Sequence, residues 1–74
     1  MANKNLYYAW ASNESGASLN VNSGGKEPSI SALENAARRE LGSGWTVHIM
    51  RLDFANQDST VAEGTTEVKK FTIR

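Results

Sequence analysis

The chain has no cysteine, one proline, one histidine and no net charge across its 74 residues. The missing cysteine removes disulfides, thiolate metal sites and cysteine nucleophiles together. A lone histidine, His48, makes no metal site without carboxylate help. Small domains often compensate for a thin core with such cross-links. Here packing and backbone pairing, or a partner subunit, must supply the stability.

Charge of one sign is lacking as well. The first half of the chain carries one negative charge in excess and the second half one positive. A sequence-independent nucleic-acid binder draws most of its affinity from phosphate neutralisation and normally shows a clear positive excess. The even balance argues against that role without excluding a local basic patch, and it permits self-association. No apolar run is long enough for a signal peptide or a membrane span. The expectation is a cytoplasmic protein with no membrane partner and no cofactor.

The length allows one hydrophobic core, so residues 1–74 are expected to form a single small α+β domain. A chain of this size buries only about 60% of the surface its unfolded form exposes. Leu6-Tyr7-Tyr8-Ala9-Trp10-Ala11 is apolar on both parities, which predicts a strand in the middle of a sheet. Ser12-Asn13-Glu14-Ser15-Gly16 has the composition of a reversing turn. The run 17–22 alternates, with Ala17, Leu19 and Val21 predicted to face inward as a half-buried strand.

Ser23-Gly24-Gly25-Lys26-Glu27-Pro28 breaks the pattern and a helix follows. Ser29 is a good N-cap, in competition with a capping box made by Ser31 and Glu34. Ile30, Leu33, Ala37 and Leu41 fall on one helical stripe. Glu34 and Arg38 stand at the favoured i, i+4 spacing. Gly42 is the expected left-handed residue at the helix end.

Trp45 through Leu52 is rich in β-formers, with Trp45, Val47 and Ile49 on one face and Thr46, His48, Met50 and Leu52 on the other. Asp53 to Gly64 reads as a polar connection, least structured at Asn56-Gln57-Asp58-Ser59. In the last strand, residues 65–74, Glu67, Lys69, Phe71 and Ile73 alternate against Thr66, Val68, Lys70 and Thr72. Phe71 and Ile73 should face the helix. Val68 breaks parity with them, so it lies on the open face or a bulge intervenes.

The order ββαββ predicts a two-layer sandwich, one helix packed on a four-stranded sheet. A β-grasp-like arrangement, with the last strand parallel to the first and both central, is favoured over a purely antiparallel sheet, and crossover handedness permits it. The element order and length of the whole chain, though no motif in it, resemble ubiquitin-like and immunoglobulin-binding β-grasp domains. A conjugated modifier is not implied, because the sequence ends Phe71-Thr72-Ile73-Arg74 without a diglycine.

Chemical motifs are few. His48 is of the residue type most used for acid–base catalysis. Its neighbours on a strand face, Thr46 and Met50, are neither bases nor strong ligands, so Glu67 or Asp53 would have to reach it across the sheet. Ser29, Ser31 and Ser43 are explained by capping and turns. Gly24-Gly25-Lys26 lacks the spacing of a phosphate loop, and Gly42-Ser43-Gly44 follows a helix instead of opening one. Asp53, Asn56 and Asp58 share the composition of a calcium loop but not its glycine or its twelfth-position glutamate. Neither catalytic nor metal-binding residues are assigned, and an enzyme is disfavoured.

Arg38, Arg39, Arg51, Lys69, Lys70 and Arg74 remain. Tyr7, His48, Met50 and Lys70 are expected together on the sheet face away from the helix. With Arg51 and Leu52 they form the candidate interaction surface. One helix covers one face, so the expected function is a non-enzymatic protein-interaction module or homo-oligomer acting through that face or an exposed strand edge. The alternative is single-stranded nucleic-acid binding through Tyr7, His48, Arg51 and Lys70.

Overall fold

In the computed structural model, residues 5–54 and 62–74 are described. The polar stretch at 56–59, with Asp58 of the calcium-loop comparison, lies outside them. Four strands and one helix follow in the order β1 (Tyr7–Ser12), β2 (Ser18–Asn20), α1 (Ile30–Glu40), β3 (Thr46–Asp53) and β4 (Gly64–Thr72). They form a small α+β fold with one four-stranded antiparallel sheet, ordered β2-β1-β3-β4. Among the described residues no helix is long and apolar enough to cross a membrane.

The doubly apolar β1 is central, as its composition requires. The β-grasp arrangement would set β4 parallel beside β1. Instead β3 lies between them and β4 forms an edge. The antiparallel arrangement is therefore the one adopted. β4 pairs with β3 in a register running from Asp53↔Gly64 to Thr46↔Thr72. Gly44 N–H donating to the Ile73 carbonyl, and Ile73 N–H to that of Trp45, continue this pairing past the last strand residues.

The core lies between α1 and the two central strands. Ala9 and Ala11 from β1, Val47 and Ile49 from β3, and Leu33, Ala36 and Ala37 from α1 are buried with Val21. Ile30, Leu41, Trp45, Phe71, Ile73 and Tyr7 pack around them. The predicted helical stripe is thus the buried one. Ser29 is the N-cap, its Oγ accepting from Ala32 N–H at 3.4 Å, while Ser31 hydrogen-bonds Ser29 instead of capping. The helix closes through Leu41 N–H on the Ala37 carbonyl, with Leu41 already extended. Gly42 does not take the left-handed conformation expected of it. Gly44 does, at φ 96°, in the turn that starts β3.

The β1–β2 hairpin closes on the Asn13 side chain, whose Oδ1 accepts from Ser15 N–H, Ser15 Oγ and Ala17 N–H. β2 is shorter than its alternating sequence predicts. It covers three exposed residues, and Leu19 stays 38% exposed. The chain leaves the sheet at Val21 because that side chain fills the space beside α1 and β1. The turn Val21–Gly24 that carries it there has Asn22 and Ser23 at φ 56° and 52°. Glu40 at the end of α1 holds this turn, accepting Asn22 N–H at 2.9 Å. A short bridge between Tyr7 and Glu27 covers the outer edge of β1 beyond the end of β2.

β4 contains a bulge. Lys69 lies opposite Ile49 and Glu67 opposite Met50, so Val68 is an extra residue on the β4 side. Side-chain parity inverts there. Lys69 and Phe71 point to the helix side, as predicted, but Glu67 moves to the other side and away from its expected companions. Lys69 Nζ reaches Glu34 of α1 at 2.6 Å, and the Arg38 guanidinium lies 4.8 Å from the centre of the Phe71 ring. Glu34 and Arg38 approach to only 3.8 Å. Exposed pairs of that kind contribute little to stability.

The burial difference between two leucines tests this core directly. Leu33→Ala is expected to destabilise the protein by about 3 kcal/mol and Leu19→Ala by under about 0.5 kcal/mol. Urea midpoints at constant transition slope give both values. Equal losses would show that β2 packs as its sequence pattern suggests and not as described.

Candidate interaction face

The helix covers one side of the sheet and leaves the other to side chains of β1, β3 and β4. On the central pair, Trp10 is opposite His48 and Tyr8 opposite Met50. These are the members of β1 and β3 that alternate with buried Ala9, Ala11, Val47 and Ile49. All four are half-buried. The Trp10 and His48 rings stack at 4.0 Å between centroids and 11° between planes. Such cross-strand pairs stabilise a sheet by roughly 0.2–1 kcal/mol each. On the far side of His48, Nδ1 and Glu67 Oε1 are 2.7 Å apart, and Lys70 is its partner in register on β4. Thr46 and Thr72 hydroxyls meet at 3.1 Å at the end of the same face.

The six residues of the expected interaction surface do not all lie on this face. His48, Met50, Leu52 and Lys70 do. Tyr7 lies on the helix side, packed against the core, and Arg51 is opposite Tyr7 on β3. Strand parity separates both from His48. Leu52, expected to be an uncovered liability, is buried at 9% exposure, and its N–H donates to the Leu6 carbonyl. The residues missed are Tyr8, Trp10 and Glu67. The signal for the first two is Ala9 and Ala11: small side chains suit the face a helix backbone approaches, which sends Tyr8 and Trp10 to the opposite one.

Arg51 is drawn into a polar group at the other end of the sheet. Its Nε donates to Asp53 Oδ1 at 3.0 Å, and Thr66 Oγ1 donates to Asp53 Oδ2 at 2.7 Å. The Thr66 hydroxyl, then the Arg51 guanidinium, hold the Asp53 carboxyl below its ordinary value by favouring the charged form.

A surface pocket of about 370 Å³ lies between the β1–β2 turn and the α1–β3 connection, lined by Asn13, Glu14, Ser15, Ser43, Gly44 and Trp45. Asn13 Oδ1 already accepts three hydrogen bonds that close the turn, so this wall is structural. Among the described residues no group of three or more His, Asp or Glu side chains is placed to hold a metal ion. Among the described residues His48 has one carboxylate partner, Glu67, and its ring is stacked on the Trp10 indole. No protein-family model, curated protein or solved structure matches this chain.

The Asp53 geometry has a measurable pH signature. A carboxyl whose folded value is depressed contributes stability that is fully present above its unfolded value. That contribution is lost as pH falls through the folded one. Asp53→Asn is therefore expected to lower the urea midpoint slightly at neutral pH and to lose less on acidification than the native protein does. Parallel midpoint-versus-pH curves for the two would show that Thr66 and Arg51 do not bind the carboxylate preferentially.

Proposed function

We propose that the protein is a non-enzymatic, cytoplasmic interaction module that docks another protein on the sheet face away from α1. The carrying observation is the Trp10–His48 stack with Tyr8 and Met50 beside it, on the side of the central strands the helix does not cover. Aromatic side chains and methionine are enriched at protein interfaces, where they supply contact area at low entropic cost. Thr46, Glu67, Lys70 and Thr72 give that centre a polar border of mixed charge, the pattern of a docking patch with a solvated rim.

The same features favour protein over single-stranded nucleic acid. Base stacking needs open ring faces, and Trp10 and His48 each have one face taken by the other. Glu67 beside His48 opposes phosphate, and Arg51 points to the other side of the sheet. The net charge of zero supplies no general attraction to offset this.

The test compares the native chain with Trp10→Ala and Met50→Lys as baits, using Arg39→Glu on the exposed flank of α1 as control. A protein partner retained by the native chain and the control should bind the two face variants at least ~10-fold more weakly. Retention by all four would place docking elsewhere. Tight binding of a single-stranded oligonucleotide that falls steeply with salt would replace this reading by the nucleic-acid one.

A further inference from the structure

The long unpaired edge of the sheet points to a specific partner. At one side, β2 has three residues and the Tyr7–Glu27 bridge blunts what remains of β1. At the other, β4 presents nine residues, eight of them exposed, and no strand pairs with its outer edge among the described residues. Open edges invite strand addition, and proteins defend them with charge and bulges. β4 carries both, in Glu67, Lys69, Lys70 and the extra residue Val68. Those devices favour one combination.

Residues paired across an antiparallel ladder point to the same face. Before the bulge, Thr65 and Glu67 lie opposite Leu52 and Met50 on the open face, and Thr66 opposite Arg51 on the helix side. After it, Lys70 and Thr72 lie on the open face and Lys69 and Phe71 on the helix side. A regular strand laid along this edge keeps its faces matched only by setting one residue against two at Val68, as β3 does on the inner side. A second copy of β4, reversed about a twofold axis at the bulge, brings its own inversion to the same place and matches on both sides.

That register sets Glu67 opposite the partner's Lys70, and Lys70 opposite the partner's Glu67. It also sets Thr66 against the partner's Phe71 and Thr65 against the partner's Thr72. Opposite charges, a threonine pair and an aromatic with a β-branched residue are all favourable cross-strand neighbours. Among the described residues Lys70 has no ion pair, and the ion pair of Glu67 is with His48. Lys69 is held by Glu34 on the helix side and stays out of the charged pairs. With net charge zero, two copies meet without overall repulsion.

We propose that the protein forms a twofold-symmetric dimer by antiparallel β4–β4 pairing in this register. The product is one eight-stranded sheet with both helices on one side. Both Trp10–His48 faces are continuous on the other. This concerns the strand edge and not the open face, so partner docking neither requires nor excludes it.

Sedimentation equilibrium from micromolar to millimolar concentration reads the association. Glu67→Lys and Lys70→Glu, each alone, place like charges opposite one another twice and should weaken self-association about tenfold or more. Mixed in equal amounts, the two variants have complementary edges and should dimerise as the native protein does. The double variant should also recover native association. Circular dichroism establishes that each variant is folded. If one is not, zero-length carbodiimide cross-linking of mixed light- and heavy-isotope native chains is read instead, and it should join Glu67 of one copy to Lys70 of the other. A native chain that stays monomeric throughout overturns the proposal. So does a dimer indifferent to both charge reversals, or cross-links between copies at other residues only. Loss of the dimer in Met50→Lys with the charge reversals silent would assign the contact to the open face.

Discussion

A single helix has to close a four-stranded sheet, and the rest of the structure follows from its width. With side chains a helix is about 10 Å across, and strands lie about 4.8 Å apart, so α1 spans roughly two of them. It sits over β1 and β3, where Ala9, Ala11, Val47 and Ile49 on the helix side are buried, while β2 is exposed and β4 sends only Phe71 partway under its margin. Of the nine buried apolar residues among those described, Ala9, Ala11, Ala36 and Ala37 are alanines. Such residues bring helix and sheet close but bury little area each. The larger fully buried side chains are Leu33, Ile49, Val21 and Val47. Stability thus rests on a few contacts, and Val21 has to be brought in by bending the chain out of the sheet.

That bend explains which features were readable in the sequence. The helix was, because the spacing of Ile30, Leu33 and Ala37 and the cap at Ser29 are local properties of adjacent turns. The inner faces of β3 were, because Val47 and Ile49 alternate strictly. The end of β2 was not. Ala17, Leu19 and Val21 continue the alternation, yet Val21 does better beside α1 than in a strand beyond the helix's reach. The β-grasp expectation failed for a related reason. A period of two reports which face a side chain takes and carries no information on strand direction or on which strand β4 pairs with.

The candidate face was legible in part. His48, Met50 and Lys70 follow from the parity of their strands. Tyr7 and Arg51 do not join them, because two adjacent tyrosines necessarily point opposite ways and both are apolar enough for a core. The alanines decide between them. A helix approaching over Ala9 and Ala11 leaves Tyr7 at the margin of the core and turns Tyr8 and Trp10 to the other side. There the rings do not lie flat as an open platform. Trp10 is stacked on His48, and His48 is braced by Glu67 on the neighbouring strand, so side chains of three strands are tied together at the centre of the face.

Glu67 can brace His48 only because β4 is irregular. In an unbroken strand it would share the helix side with Lys69 and Phe71. The histidine would then meet Lys70 without the carboxylate between its neighbours. One inserted residue lets the same strand satisfy two demands, Phe71 and Lys69 toward α1 and Glu67 toward the open face. It also changes what the outer edge accepts. An inversion of side-chain phase in mid-strand obliges a regular strand to set one residue against two at the bulge, as β3 does on the inner side. The same inversion repeated in a reversed copy makes that adjustment unnecessary and puts acid opposite base on both sides of the axis. The bulge that completes the internal packing of β4 is therefore also the element that gives its edge a preference, through symmetry and charge and not through apolar area.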